Sequence, residues 1–171
     1  MSGMDTTIPD LDIEIPEISQ IAFVVEDIED GMDRFGGILG VGPWEVYRFE
    51  PPTLTETTYR GEPHDYSMIL ALAFAGETMI ELIEPLEGPS IYTEHLDEHG
   101  EGLHHVACFA FEETEAVVEQ FEEAGMPVVQ SGVYGEVPYW YFDTEEQLNG
   151  VIFETATNLE SMPDPDRTYP E

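Results

Sequence analysis

Gln20-Ile21-Ala22-Phe23-Val24-Val25 is answered 85 residues later by His105-Val106-Ala107-Cys108-Phe109-Ala110. Each run is apolar behind a polar head, and each is followed by acidic residues and then by a helical pattern. Ile28, Met32, Phe35 and Leu39 fall at i, i+4, i+7 and i+11, and Val117, Phe121 and Ala124 at i, i+4 and i+7, the spacing of one apolar helix face. Gly40 and Gly125, again 85 residues apart, stand where those helices should stop. Phe35 and Phe121 are 86 apart, so the register holds to within one residue. A second echo pairs Met79-Ile80-Glu81-Leu82-Ile83 with Ile152-Phe153-Glu154-Thr155-Ala156, glutamate against glutamate, 73 residues apart. An internal repeat of this length reads as a duplicated unit.

The elements between the echoes follow from pattern. Trp44 to Phe49, Tyr66 to Phe74 and Thr78 to Glu84 read as strands, with Gly76 at a turn. Val128 to Gln130, Val137 to Phe142 and Gly150 to Thr155 repeat the arrangement, with turns at Ser131-Gly132 and Asn149-Gly150. The reading is an α+β chain of two tandem βαβββ modules, 18–86 and 103–157, joined by a linker helix at about 90–99 and curled into one cleft. These form a single domain over 18–157. The acidic arm 1–17 and the tail 158–171 lack a period and read as frayed ends. Glu50 to Asp65, rich in Pro and Thr, is either a lid over the cleft or a surface loop.

Composition narrows the function classes. With 171 residues, 42% hydrophobic and 11% aromatic, the chain is built to fold rather than to stay disordered. It carries 38 Asp and Glu against four cations, all arginine (Arg34, Arg48, Arg60 and Arg167), for a formal net charge of -34. A phosphate-binding nucleic-acid interface, which needs a basic patch, is excluded. Such charge is tolerated where molar salt screens it, so a salt-loving cytoplasm is the expected setting. No 18-residue apolar run offers a membrane span, and the first residues lack the pattern of a secretory signal. A single cysteine, Cys108, leaves no intrachain disulfide and reads as core packing.

Side chains alternate across a strand, so Gln20 shares a face with Ala22 and Val24, and His105 with Ala107 and Phe109. Glu81 and Glu154 sit at matched places on the closing strands. Four metal-competent side chains, Gln20, Glu81, His105 and Glu154, therefore occupy equivalent positions in a duplicated unit, and a pseudo-twofold would bring them into one cleft. One imidazole with three oxygen donors and no thiolate suits a single divalent ion: Zn, Ni, Co, Mn or Fe. The bland alternatives are a polar strand end for Gln20 and a satisfied core histidine for His105. A glutamate within the otherwise apolar strand at Glu81 needs a partner in either case. His104 is expected to point away from the cleft. Arg48, with Trp44 on its strand face, is the candidate to hold a substrate carboxylate or phosphate, with a surface ion pair as the alternative.

The residues Gln20-Ile-Ala-Phe-Val-Val, Ile80-Glu-Leu-Ile-Glu-Pro, Gly100-Glu-Gly-Leu-His-His-Val-Ala and Gly150-Val-Ile-Phe-Glu resemble the vicinal oxygen chelate superfamily. Within it they are most similar to the methylmalonyl-CoA epimerase and glyoxalase group, over about Ile18 to Thr157. The resemblance implies a metal held by Gln20, Glu81, His105 and Glu154. The first ligand of the epimerases is usually histidine, and the set here looks more like the Gln, Glu, His, Glu set of zinc-type glyoxalase I. Ring-cleaving dioxygenases place histidine first as well, which makes that chemistry the weaker expectation. The activity implied is an isomerase, lyase or epimerase reaction that moves a proton next to a carbonyl, on a thiol adduct or thioester, with Glu154 as base and Glu81 as its counterpart. The epimerases' further carboxylate is missing from Tyr66 to Phe74, and few cations are present for CoA phosphates. The resemblance also implies a homodimer and a small-molecule carbonyl or thioester substrate. The competing expectation is a metal-free protein that sequesters a small molecule, using the aromatic strand Tyr139-Trp140-Tyr141-Phe142. A purely structural acidic protein is a third.

Overall fold

β1 (Gln20–Val24) opens the fold with alternate residues fully buried on one face, and an Asp27 cap then turns the chain into α1 (Ile28–Leu39). The Asp27 side chain accepts from the Asp30 backbone N–H, and Gly40 closes the helix in the left-handed conformation at φ 68°, where glycine carries no steric penalty. β2 (Trp44–Phe49), β3 (Leu54–Tyr59), β4 (Glu62–Pro63), β5 (Met68–Ala75) and β6 (Thr78–Pro85) follow. α2 (Ile91–His99), capped by Ser90, leads into β7 (Gly102–Cys108). The second half continues through α3 (Thr114–Glu123), β8 (Val128–Tyr134), β9 (Val137–Phe142), β10 (Ile152–Ala156) and a last short strand, β11 (Arg167–Tyr169). This computed structural model describes residues 9–171.

All eleven strands form one curled, unclosed sheet in the order β11-β2-β5-β6-β1-β7-β10-β9-β8-β3-β4. Its inner eight strands are symmetric about the β1/β7 pair. β1 runs antiparallel to β7, while β6 lies parallel beside β1 and β10 parallel beside β7. The duplication read from the sequence is thus a pseudo-twofold in the sheet. The fold class is the expected mixed α+β one. α1 covers the outside of the first module over Val25, Ile28, Met32, Trp44 and Leu82. α3 covers the second over Cys108, Val117, Phe121, Phe142 and Phe153, so Cys108 is a core residue. The concave side carries a third apolar cluster, including Ala22, Val24, Tyr47, Phe49, Tyr139 and Tyr141.

Two segments depart from expectation. Glu50 to Asp65 is not a free lid, because β3 within it crosses to the far module and pairs with β8, Leu54 opposite Tyr134 and Tyr59 opposite Gln130. The strand is hard to read because Glu56, at φ 52°, interrupts the alternation where the register shifts between Thr55 and Thr58. The described parts of the two ends are not frayed either. Arg167–Tyr169 pairs with β2, and Leu11 and Ile13 pack on the core beneath α3 while the Asp12 N–H donates to Gln120. Residues 1–8 of the acidic arm lie outside the described residues.

Every arginine is bound to carboxylates: Arg34 to Asp30 and Glu101, Arg48 to Glu50, Arg60 to Glu94 and Arg167 to Glu29, at 2.7 to 3.0 Å. These pairs are solvent-exposed and each contributes little, so the remaining carboxylates repel across a Debye length of about 10 Å at 0.1 M salt, shrinking to about 3 Å at 1 M. Raising NaCl from about 0.1 to 2 M is expected to raise the melting temperature by about 10 °C. A melting temperature indifferent to salt, followed by circular dichroism, would show that the repulsion costs the fold nothing.

Candidate functional site

The four central strands bring Gln20 (β1), Glu81 (β6), His105 (β7) and Glu154 (β10) together on the concave face. Cross-strand register explains how. Ala22 stands between Glu81 and His105, and Ala107 stands between Gln20 and Glu154. Both alanines are fully buried, and their single methyl groups leave room for the longer side chains to meet above them. His105 Nε2 lies 3.0 Å from Gln20 Oε1 and 3.3 Å from both Glu81 Oε1 and Glu154 Oε1. All four residues are buried, His105 completely.

Three oxygens around one imidazole nitrogen set an unusual balance. Burial alone would push the His105 pKa down, but the hydrogen bonds and charges of Glu154 and Glu81 outweigh it and raise it to about 9. Burial raises the Glu81 pKa, against the pull of His105. One N–H cannot satisfy three acceptors, and Glu81 Oε1 is a buried oxygen with no hydrogen-bond partner. Among the described residues no set of three or more His, Cys, Asp or Glu surrounds a ready-made ion position; the donors rest against one another instead. Their chemistry nonetheless fits a divalent cation, which would satisfy all three oxygens and the nitrogen at once.

His104 departs from expectation. A bulge in the β1/β7 ladder sets Ala22 opposite His105 but Phe23 opposite Leu103, so His104 is the extra residue and turns to the same side as His105. Its ring packs against Tyr92, His95 and Tyr141. Burial holds its pKa well below the ordinary histidine value, which leaves His104 Nδ1 to accept from His105 Nδ1–H at 2.8 Å. That bond aims His105 Nε2 at the carboxylates. A bulge leaves no mark in the alternation of the sequence, which is why the expected direction of His104 is wrong.

Above the donors opens a cavity of about 240 Å³. Tyr47, Phe49, Tyr134, Tyr139 and Tyr141 form aromatic walls, and Met68, Leu70 and Leu72 of β5 form an aliphatic one. Tyr139 Oη is bonded to Tyr66 Oη at 2.7 Å, and Tyr92 donates to Tyr141 at 2.6 Å. Burial raises the pKa of each of these phenols, so they stay protonated. Of the aromatic strand singled out in the sequence, Tyr139 and Tyr141 line the cavity, while Phe142 belongs to the core under α3.

Arg48 and Trp44 are not part of this cavity. β2 turns Trp44 and Val46 toward α1 and presents Glu45, Tyr47 and Phe49 to the concave side. Arg48, on the outer face, is bound to Glu50 at 2.9 Å. The assignment fails because period-two alternation says which residues share a face but not which face meets the cleft. Glu45 and Tyr47 go unnoticed in the sequence for the same reason, whereas Tyr92 sits on α2 and Tyr134 at the end of a strand that runs past its expected limit at Gln130.

The curled sheet matches known proteins. Residues 19–142 match the family model described as the Glyoxalase/Bleomycin resistance protein/Dioxygenase superfamily. A hypothetical protein from Bacillus halodurans C-125 superposes with a TM-score of 0.61 at 22% identity, covering 83% of this chain and 94% of that one. Methylmalonyl-CoA epimerase from Mycobacterium tuberculosis gives 0.56 at 16% identity, over 84% and 88%. A Streptomyces coelicolor methylmalonyl-CoA epimerase variant in complex with 2-nitronate-propionyl-CoA gives 0.57 at 16% identity, over 88% and 99%. Likeness at these identities speaks to the fold. No curated protein matches the chain. The family model spans the first module, the linker helix and most of the second module, well over half of the chain, which therefore belongs to the glyoxalase/bleomycin resistance protein/dioxygenase superfamily.

Proposed function

We propose that the protein is a metal-dependent enzyme of glyoxalase or epimerase type that moves a proton at a carbon next to a carbonyl of a small molecule. The observation that carries this reading is the meeting of Gln20, Glu81 and Glu154 oxygens at 3.0 to 3.3 Å from His105 Nε2 on the floor of an apolar cavity. Gln20, Glu81, His105 and Glu154 would hold one divalent ion (Zn, Ni, Co, Mn or Fe). When bound, such an ion supplies a Lewis acid that stabilises negative charge developing on the carbonyl oxygen. Glu154 would take the proton from the carbon, and Glu81, which belongs to the other module, would act as its counterpart, the same proton being handed back to the neighbouring carbon or oxygen. The aromatic and aliphatic walls limit the access of water to the four side chains, which strengthens the charge interactions among them. A homodimer is the expected assembly, which sedimentation reads directly.

Elemental analysis of untagged protein purified in molar salt tests the reading. About one divalent ion per chain is expected, lost in Glu81→Ala. The loaded protein should exchange the carbon-bound protons of phenacyl alcohol, a neutral probe with two vicinal oxygens, for deuterium. No ion after incubation with Zn, Ni, Co and Mn would sink it. That result would favour the second reading, a metal-free binding protein, which the mutual packing of the donors under an apolar cavity also supports.

A further inference from the structure

The cavity has a second polar end, away from the four donors. Glu45 lies opposite Leu72, and Leu72 opposite Glu81, so the two glutamates share one cross-strand row two strands apart, about 10 Å at 4.8 Å per strand. The equivalent row of the second module runs from Glu154 through Tyr141 to Gln130. Gln130 is fully buried and its Oε1 accepts from the Ile91 N–H at 2.9 Å, sealed under α2. On these matched strands of the two modules, the first module's row alone carries a carboxylate, exposed to solvent and lining the cavity.

The surroundings of Glu45 are aromatic and acidic. Tyr47 donates to Glu45 Oε2 at 3.1 Å. Beyond it Phe49 and Tyr134 stack at 3.7 Å, and Tyr47 meets Tyr134 edge-on at 6.3 Å. Asp164 and Asp166 add negative potential at Tyr47 and Tyr134. Among the described residues no arginine lines the cavity, and all four arginines are bound to carboxylates elsewhere. A carboxylate beside aromatic rings attracts a cationic nitrogen through both charge and ring quadrupole, while an anion would meet net repulsion there.

We propose that the Glu45 end is a subsite for a positively charged nitrogen, so that the substrate is a carbonyl compound with an apolar body and an ammonium group at its far end. An anionic carrier such as a CoA thioester does not fit. The carbonyl half of this statement rests on the proposed function above; the charge preference does not, and stands on Glu45, its rings and the neighbouring acids.

Three phenacyl alcohols that differ only at the para position, bearing trimethylammoniomethyl, tert-butyl or carboxylate, separate the possibilities by calorimetry at about 0.5 M NaCl, where long-range fields are short. The wild type should bind the ammonium compound about tenfold more tightly than the tert-butyl one, and the carboxylate weakest of all. Glu45→Gln should abolish the tenfold difference between the two compounds. Glu17→Gln, an exposed change in the arm, should leave the difference intact. Equal binding of the ammonium and tert-butyl compounds by the wild type overturns the proposal. So does a preference that survives Glu45→Gln, which would assign it to the overall charge. The series is run on zinc-loaded and on chelator-treated protein. A preference that persists where no metal is taken up removes the metal reading alone, and its absence in protein with one ion per chain removes the subsite alone.

Discussion

Glu154→Gln is expected to slow deuterium exchange into phenacyl alcohol by about a thousandfold in the metal-loaded protein, the scale on which a positioned general base contributes. Glutamine keeps the volume and one oxygen at this buried position on β10, so the circular dichroism spectrum and melting temperature should stay close to those of the wild type. The amide cannot accept a proton from carbon, and its oxygen remains a weak metal donor, so metal content should fall less than activity. A variant that exchanges at the wild-type rate with its metal retained would take the base away from Glu154. Attention would then pass to Glu81.

His105→Ala should do the opposite, damaging the fold and the ion site together. The imidazole is the common partner of Gln20, Glu81 and Glu154 and is fully buried. Its removal leaves two carboxylates without their counter-charge and a ring-sized void between β1 and β10. Losing one partner of a buried ion pair costs about 3 to 5 kcal/mol, or about 10 °C in a chain of this size. Zinc at about a hundred times its dissociation constant should stabilise the wild type by about 2.7 kcal/mol and leave His105→Ala unmoved. Thermal scans with and without zinc read both effects. An unchanged melting temperature in His105→Ala would show that the cluster plays no part in holding the central strands.

Both variants probe residues that the amino-acid sequence marks by itself, and the reason is physical. A duplicated unit repeats its side-chain positions, so the 85-residue echo of Gln20 with His105 and the matched Glu81 and Glu154 mark equivalent points about a pseudo-twofold. Central strands with strict alternation, such as Gln20–Val24, make that arithmetic reliable. The failures lie where alternation breaks or says too little. The bulge at Ala22/Phe23 turns His104 inward, the left-handed Glu56 hides a strand, and the pattern of β2 does not reveal which of its faces meets the cavity. The donors are therefore legible in the sequence, while the substrate-facing wall, Glu45 included, is not.

The strand β3 belongs by chain order to the first repeat and by hydrogen bonding to the second, where it lies along β8. Two halves joined only by a linker could be cut apart and each keep its own sheet edge intact. Here the first half, severed near Gly100, would carry away the strand that covers the edge of its sibling, leaving β8 with a bare row of amides. The two copies have thus become interlocked parts of one object, the edge of the second being finished by a strand of the first.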